Sequence, residues 1–427
     1  MPAADTAGDV RRIELRNGVR VVSERIPGAV SVAIGVWIES GSRHDGPDMP
    51  GLSHFVEHLL FKGTARRTAE QISEEIEGVG GVLNADTDRE HTCYYAKVLA
   101  EHVELAVDLL GDMLLASRFD PGELEREREV VLEEIAQVED TPDDHVQDLF
   151  HAAYWPEHAL GTPICGTRVS VAAMDPDVCR GLLARRYRPN RIVIAGAGRL
   201  DHDAFTREVG ARFGDLAGAA ALETGAPAAT GAGVTVFERR LEQVQIYLGT
   251  GGVAAADPDR PAAVVLNAAL GDGSSSRLFR EIRERNGHAY AIDSYLSSYR
   301  DTGYLAVAAA TRPQRVRRVV EGILGELRRV RREGLEAEEL ARTKRRLKGG
   351  LLLALEGTDH RMERLALGEM YLGRPLTPEE LAARIDAVTN DHVVALAERL
   401  FVPQTSALVL LGKPAGTIDA DVLASLA

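Results

Sequence analysis

Cysteine is scarce in this chain: Cys93, Cys165 and Cys179 are the only three in 427 residues. An odd count with no CxxC excludes a disulfide framework and an all-cysteine metal site. Long apolar runs are missing too. No stretch of about 18 apolar residues is free of charge, so no membrane-spanning helix is expected. The N-terminal MPAADTAGDVRRIELRNGVR lacks the apolar centre of an export signal. These absences make a soluble, cytoplasmic protein with no membrane partner the default reading. Positive charge is also in deficit, 50 Lys+Arg against 65 Asp+Glu for a net of −15, which opposes general binding to nucleic acid. What remains is 45% hydrophobic and 27% charged. That composition folds, excludes disordered and fibrous classes, and at roughly 100–200 residues per domain suffices for two to four domains.

A Pro/Gly/Ala-rich stretch near the middle carries little periodicity and reads as a linker over 218–232. The segments on either side resemble each other. HVELAVDLLGDMLLASRFDPGELEREREVVLEEIAQVE precedes DPDVCRGLLARRYRPNRIVIAGAG in the first, and RVRRVVEGILGELRRVRREGLEAEELARTKRRLKGGLLLALE precedes TNDHVVALAERLFVPQTSALVLLG in the second. Pro189 aligns with Pro403 and Leu124 with Leu340 at nearly the same offset. The chain therefore reads as two copies of one α+β domain, 1–217 and 233–427, each a mostly antiparallel sheet covered by helices. In the first copy, strands are expected between residues 10 and 40 around an Asn17-Gly18 hairpin turn, and again over 81–86 and 91–98. Helices are expected over 50–63, 68–78 and 121–140, the last opening at Asp120-Pro121.

The sharpest chemical feature is HFVEH at 54–58. On a helix His54 and His58 are one turn apart on one face, a spacing that suits two nitrogen ligands of Zn²⁺. Glu57 borders that face, where a carboxylate can take a proton from an activated water. The HxxEH order is the inverse of HExxH. Chance supplies roughly 0.03 such matches in a chain of this composition, so the motif outweighs the alternative of two solvated histidines beside a glutamate. A catalytic zinc needs a third protein ligand. The acidic segment EREREVVLEEIAQVE offers Glu127 and Glu134, seven apart on one face bounded by Val130, Val131 and Ile135, while spacing alone leaves Glu133 and Glu134 both open.

HFVEHLLFKGT, GGVLNADTDREHTCYYAKV and EREREVVLEEIAQVED together closely resemble the pitrilysin/insulinase family of zinc metallopeptidases, over nearly the whole chain and including the duplication. The match is best to its short bacterial members and to the catalytic subunit of the mitochondrial processing peptidase. The resemblance implies a zinc endopeptidase with one Zn²⁺ per chain on His54, His58 and Glu134, with Glu57 as general base. It puts Glu127 behind a ligand histidine. It further implies that GGVLNADTDRE is an edge strand on which substrate is laid as an added β-strand, with Asn84 and Ala85 contacting its backbone. In the second half, GDGSSSRLFREIRERNGHAYAIDSY resembles the family's other motif, which places on Arg283 and Tyr290 the task of stabilising the developing oxyanion. Also implied are a clamshell chamber admitting unfolded peptides and assembly as a homodimer. Two alternatives come with the same resemblance: a dedicated precursor-processing protease working with a paralogous subunit, and a non-catalytic scaffold subunit.

The second copy lacks the metal set. GSSSRLF is expected where HxxEH would align, and Gly350 lies opposite Glu134. Other signals carry less. AGAGRL has Asp201 at the third glycine position of a dinucleotide-binding turn. Residues 311–350 hold 13 Lys+Arg against 6 Glu, but without interleaved aromatics this stripe reads as a solvated helix face or an internal electrostatic partner. Residues 101–148 are its opposite, with 16 Asp+Glu against 3 Arg. This polarity is expected to help the halves close and to favour basic peptides.

Overall fold

The computed structural model describes residues 9–219 and 230–426. The larger part of the expected linker, 220–229, lies outside the described residues. By packing, the chain forms two units. The first comprises Met1–Ala136, Thr162–Thr224 and Leu352–Pro378; the second comprises Gln137–Gly161, Gly225–Leu351 and Glu379–Ala427.

The first unit is built on six strands, β1 (Asp9–Glu14), β2 (Arg20–Arg25), β3 (Ser31–Ile38), β4 (Val82–Thr87), β5 (Thr92–Leu99) and β6 (Ile192–Gly198), in the order β1-β2-β6-β3-β5-β4. Every neighbouring pair is antiparallel except β2 with β6. Asn17-Gly18 turns β1 into β2, with Gly18 at φ 98°, a conformation that suits glycine. β6 is buried along its whole length, which its sequence IVIAGAG permits. Helices α1 (Leu52–Leu60), α2 (Ala69–Glu77), α3 (Val103–Ala116) and α4 (Pro121–Asp140) follow in chain order. Phe55 and Leu59 of α1, Leu109 and Leu110 of α3, and Val131 of α4 join Val32, Ile34 and Val36 in one core. Val130, expected on that inner face, is instead 41% exposed.

The second unit repeats this plan. Its strands are β7 (Gly233–Phe237), β8 (Val244–Gly251), β9 (Ala291–Ser298), β10 (Gly303–Thr311) and β11 (Ala407–Leu411), in the order β7-β11-β8-β10-β9. With β1 set aside, that is the order β2-β6-β3-β5-β4 again, and again one pair alone, β7 with β11, is parallel. The duplication is therefore one of topology as well as of sequence.

Each sequence half nevertheless contributes a helix to the other half's sheet. Helix α5 (Pro142–Tyr154) packs in the second unit, where Phe150, Tyr154 and the following Trp155 meet Tyr247, Tyr304 and Val409. Helix Thr358–Leu372 packs in the first, where Met362, Leu365, Ala366 and Met370 cover Val22, Ala33, Trp37, Val193 and Ala195. Glu24, 1% exposed, is held by Arg361 and Arg364 of that helix, and Glu369 by Arg12. A division of the chain at 217 and 233 is thus crossed twice.

One alignment is corrected by topology. α1 lies between β3 and β4, and the element between β8 and β9 in that place is the helix Arg260–Leu270. The counterpart of HFVEH is therefore in RPAAVVLNAAL, while GSSSRLF covers the turn after that helix and the start of the next helical segment. A longer β3–α1 connection in the first copy makes the sequence offset uneven. Gly350 does lie on the counterpart of α4, the helix Ala337–Ala354.

Candidate metal centre

Helix α1 starts under tight control. Gly51, which precedes it, has φ 89°, and a Cβ there would lie 2.6 Å from both the Cys165 carbonyl oxygen and Gly166 Cα, so only glycine fits. The buried Asp45 carboxylate accepts from Gly51 N at 3.0 Å, from Ser53 N at 2.9 Å and from Ser53 Oγ, satisfying free amides of the first turn. Burial pushes this carboxyl up to about 7 against those hydrogen bonds. Leu52, Phe55, Val56, Leu59 and Leu60 are at most 1% exposed, each worth about 1.5–3 kcal/mol of burial. The opposite face carries His54, Glu57 and His58, all half-buried.

α4 brings the third donor. Glu134 Oε2 lies 3.6 Å from His54 Nε2 and 3.6 Å from His58 Nε2, and one ligand atom from each residue falls within 4.8 Å of the others. This is the one such His/Cys/Asp/Glu group among the described residues. Glu133 is exposed. Burial, and secondarily the adjacent His58 imidazole, lower His54 to about 3, which keeps it neutral, the form that ligates metal. His54 Nδ1 is buried with no partner among the described residues, and both Nε2 atoms lie near Glu134 Oε2. The donor set, two imidazoles and a carboxylate, is that of a catalytic zinc site.

Glu127 is 6% exposed and accepts from His58 Nδ1 at 3.2 Å. That bond directs the His58 Nε2 lone pair toward Glu134. Lys62 Nζ reaches the other Glu127 oxygen at 2.8 Å. Lys62 was not among the residues singled out from the sequence, although it stands in HFVEHLLFKG one turn beyond His58, where an i+4 pairing would have drawn attention to it. Asp45 and Thr87 were missed as well, because no spacing rule ties a loop carboxylate or the end of a later strand to a helix. Thr87 Oγ1 donates to Glu57 Oε2 at 2.5 Å. Burial raises the Glu57 carboxyl and this bond pulls it back.

Asn84 and Ala85 lie on β4, the outer strand of its sheet, which among the described residues pairs with β5 alone. Val82, Asn84 and Asp86 are exposed, and Thr87 is turned toward Glu57. In the second unit, Arg283 lies in a π-helical segment, Phe279–Arg285, and Tyr290 just before β9. The Arg283 guanidinium sits 4.6 Å from the Phe279 ring centre and 5.3 Å from that of Tyr290, so these two predicted residues are neighbours. Tyr290 is 75% exposed.

Residues 20–168 match the family model described as Insulinase (Peptidase family M16), and residues 174–347 match Peptidase M16 inactive domain. An uncharacterized zinc protease of Bacillus subtilis is 40% identical over 96% of this chain and 99% of its own length. One from Streptomyces coelicolor is 41% identical over 91% and 87%. Among solved structures, a protease from Helicobacter pylori superposes with TM-score 0.88 at 20% identity, covering 95% of this chain and 99% of its own. A peptidase M16 inactive domain from Pseudomonas fluorescens gives 0.89 at 19%, covering 96% and 100%. These two share the fold.

Proposed function

The chain belongs to the insulinase family, Peptidase family M16, and from that premise we propose that it is a zinc endopeptidase acting on unfolded peptides held as an added strand along β4. The observation that carries this reading is the convergence of His54, His58 and Glu134 within 4.8 Å, with Glu57 on the same helix. A zinc ion bound there would supply Lewis-acid activation of water and of the scissile carbonyl.

The side chains divide the remaining work. Glu127 fixes the His58 ring. Glu57, made more basic by burial, takes a proton from the attacking water and gives it to the leaving amine. The free edge of β4 offers main-chain groups to an extended peptide with modest demand on its sequence, Asn84 and Ala85 lying in its middle. Arg283 and Tyr290 take the oxyanion-stabilising role that the family resemblance implies. Assembly as a homodimer belongs to the same reading, with unfolded peptides or peptide precursors as substrates.

The test uses a fluorogenic unstructured peptide. Glu57→Gln is expected to lower kcat about 10³-fold while one zinc per chain is retained, and Tyr290→Phe about 10- to 100-fold. Unchanged cleavage by Glu57→Gln, or by the chelated protein, would overturn the reading.

A further inference from the structure

The two carboxylate oxygens of Glu57 are not equivalent. Oε2 accepts from Thr87 Oγ1 at 2.5 Å, and no hydrogen bond from the described residues reaches Oε1. Thr87 has a single proton to give. Its other neighbour, Thr92 Oγ1, is farther, at 3.4 Å, and has committed its own proton to the Ser40 carbonyl at 2.9 Å. Thr92 can therefore only accept from Thr87, and the shorter, charge-assisted partner takes the proton. The arrangement is rigid. Thr87 and Thr92 face each other in the β4–β5 register, are 8% and 0% exposed, and Thr92 is tied to Ser40, two residues past β3.

We propose that Thr87 is a positioning residue for Glu57, holding Oε2 as a fixed acceptor so that Oε1 is the atom that takes and returns the proton. This rests on the reading of Glu57 as general base. The water oxygen bonds to the scissile carbonyl carbon and one water proton passes to Oε1. The C–N bond then breaks as Oε1 passes that proton to the departing amine. Thr87 keeps its own proton throughout. Because Thr87 ends the strand that carries Asn84 and Ala85, a peptide added to β4 and the carboxylate that serves it are held by one frame. Nothing in the sequence marked Thr87 for this role; it was one more β-branched residue in a strand.

Thr87→Val removes the hydroxyl at nearly constant shape, and Thr87→Ser keeps it. Thr87→Val is expected to lower kcat about 10- to 100-fold, the range for a hydrogen bond to a charged group, with KM within about twofold and zinc content unchanged. Thr87→Ser is expected to recover kcat to within about threefold of wild type. In a Glu57→Gln background, Thr87→Val should cost nothing further, since the two act as one unit. Wild-type kcat in Thr87→Val, a loss confined to KM, a serine variant no better than valine, or full additivity with Glu57→Gln would each overturn the proposal. Should Thr87→Val fail to fold, Thr87→Ala against Thr87→Ser carries the same comparison. If Glu57→Gln itself cleaves normally, the general-base reading fails; if it is inactive while Thr87→Val is normal, the positioning role alone fails.

Discussion

The His58 imidazole shows how much of a metal site lies behind its ligands. Its Nδ1 is engaged by Glu127, whose other oxygen is held by Lys62. Removing Glu127 frees the ring to rotate and leaves Lys62 without its counter-ion. Glu127→Ala should therefore weaken zinc affinity about 10- to 100-fold, read by chelator competition. An affinity equal to wild type would mean that packing alone orients the ring. Glu134 was reachable by spacing only as one of two neighbours. Helix geometry separates them once α4 is docked, since Glu133 is exposed and Glu134 lies 3.6 Å from both imidazoles.

At the scale of elements, the segment between α1 and α2 is clamped to α3. Asp112 accepts from Thr64, Arg66 and Arg67, and Asp108 from Arg66 and Arg67, with Arg212 also on Asp108. Burial alone would raise both carboxyls, but hydrogen bonds, from the arginines at Asp108 and from Thr64 and the arginines at Asp112, outweigh it and hold them below their usual range. A carboxyl lowered by folding stabilises the fold above its unfolded pKa, and the contribution is lost as the pH falls through the native value. The urea midpoint should accordingly drop as the pH is lowered below about 4. Asp112→Asn should flatten that dependence and cost about 1.5–3 kcal/mol at pH 7, because the side chain is 2% exposed and the amide gives up the charged acceptor of Thr64, Arg66 and Arg67. An Asp112→Asn protein with the acid sensitivity of wild type would refute this. Element positions were largely legible beforehand: the helix expected over 121–140 spans Pro121–Asp140, and the strands expected over 81–86 and 91–98 lie at Val82–Thr87 and Thr92–Leu99. Periodicity and helix-start chemistry are local properties, so they survive docking.

At the scale of the whole molecule, the charge polarity seen along the sequence is compensated in part by nearby pairs. Asp108, Asp112 and Glu127 of the acidic segment meet Arg66, Arg67, Arg212 and Lys62. In the basic stripe, Arg346 pairs with Asp272 and Lys348 with Asp386, both from outside it. No helix of the described residues is long and apolar enough to cross a membrane. The helix exchange has a sharper consequence. A fragment 1–217 would lack Met362, Leu365, Ala366 and Met370 over its sheet and would leave the Glu24 carboxylate without Arg361 and Arg364. It should bind a hydrophobic dye and unfold without cooperativity, and fragment 230–427 added in trans should restore cooperative unfolding. Cooperative folding of 1–217 alone would show that the covering helix is dispensable.

The sequence by itself determined the duplicated α+β plan and the HxxEH pair, because hydrophobic period and i, i+4 spacing are written within single elements. Family resemblance then singled out Glu134. Only the tertiary structure decided which sheet each helix covers, since an apolar face does not record its partner. It alone brought Thr87 to Glu57 and the buried Asp45 carboxylate onto the first turn of α1. Hydrogen bonds between residues distant in the chain leave no periodic trace, so the shell that orients the chemistry was invisible where the chemistry itself was not.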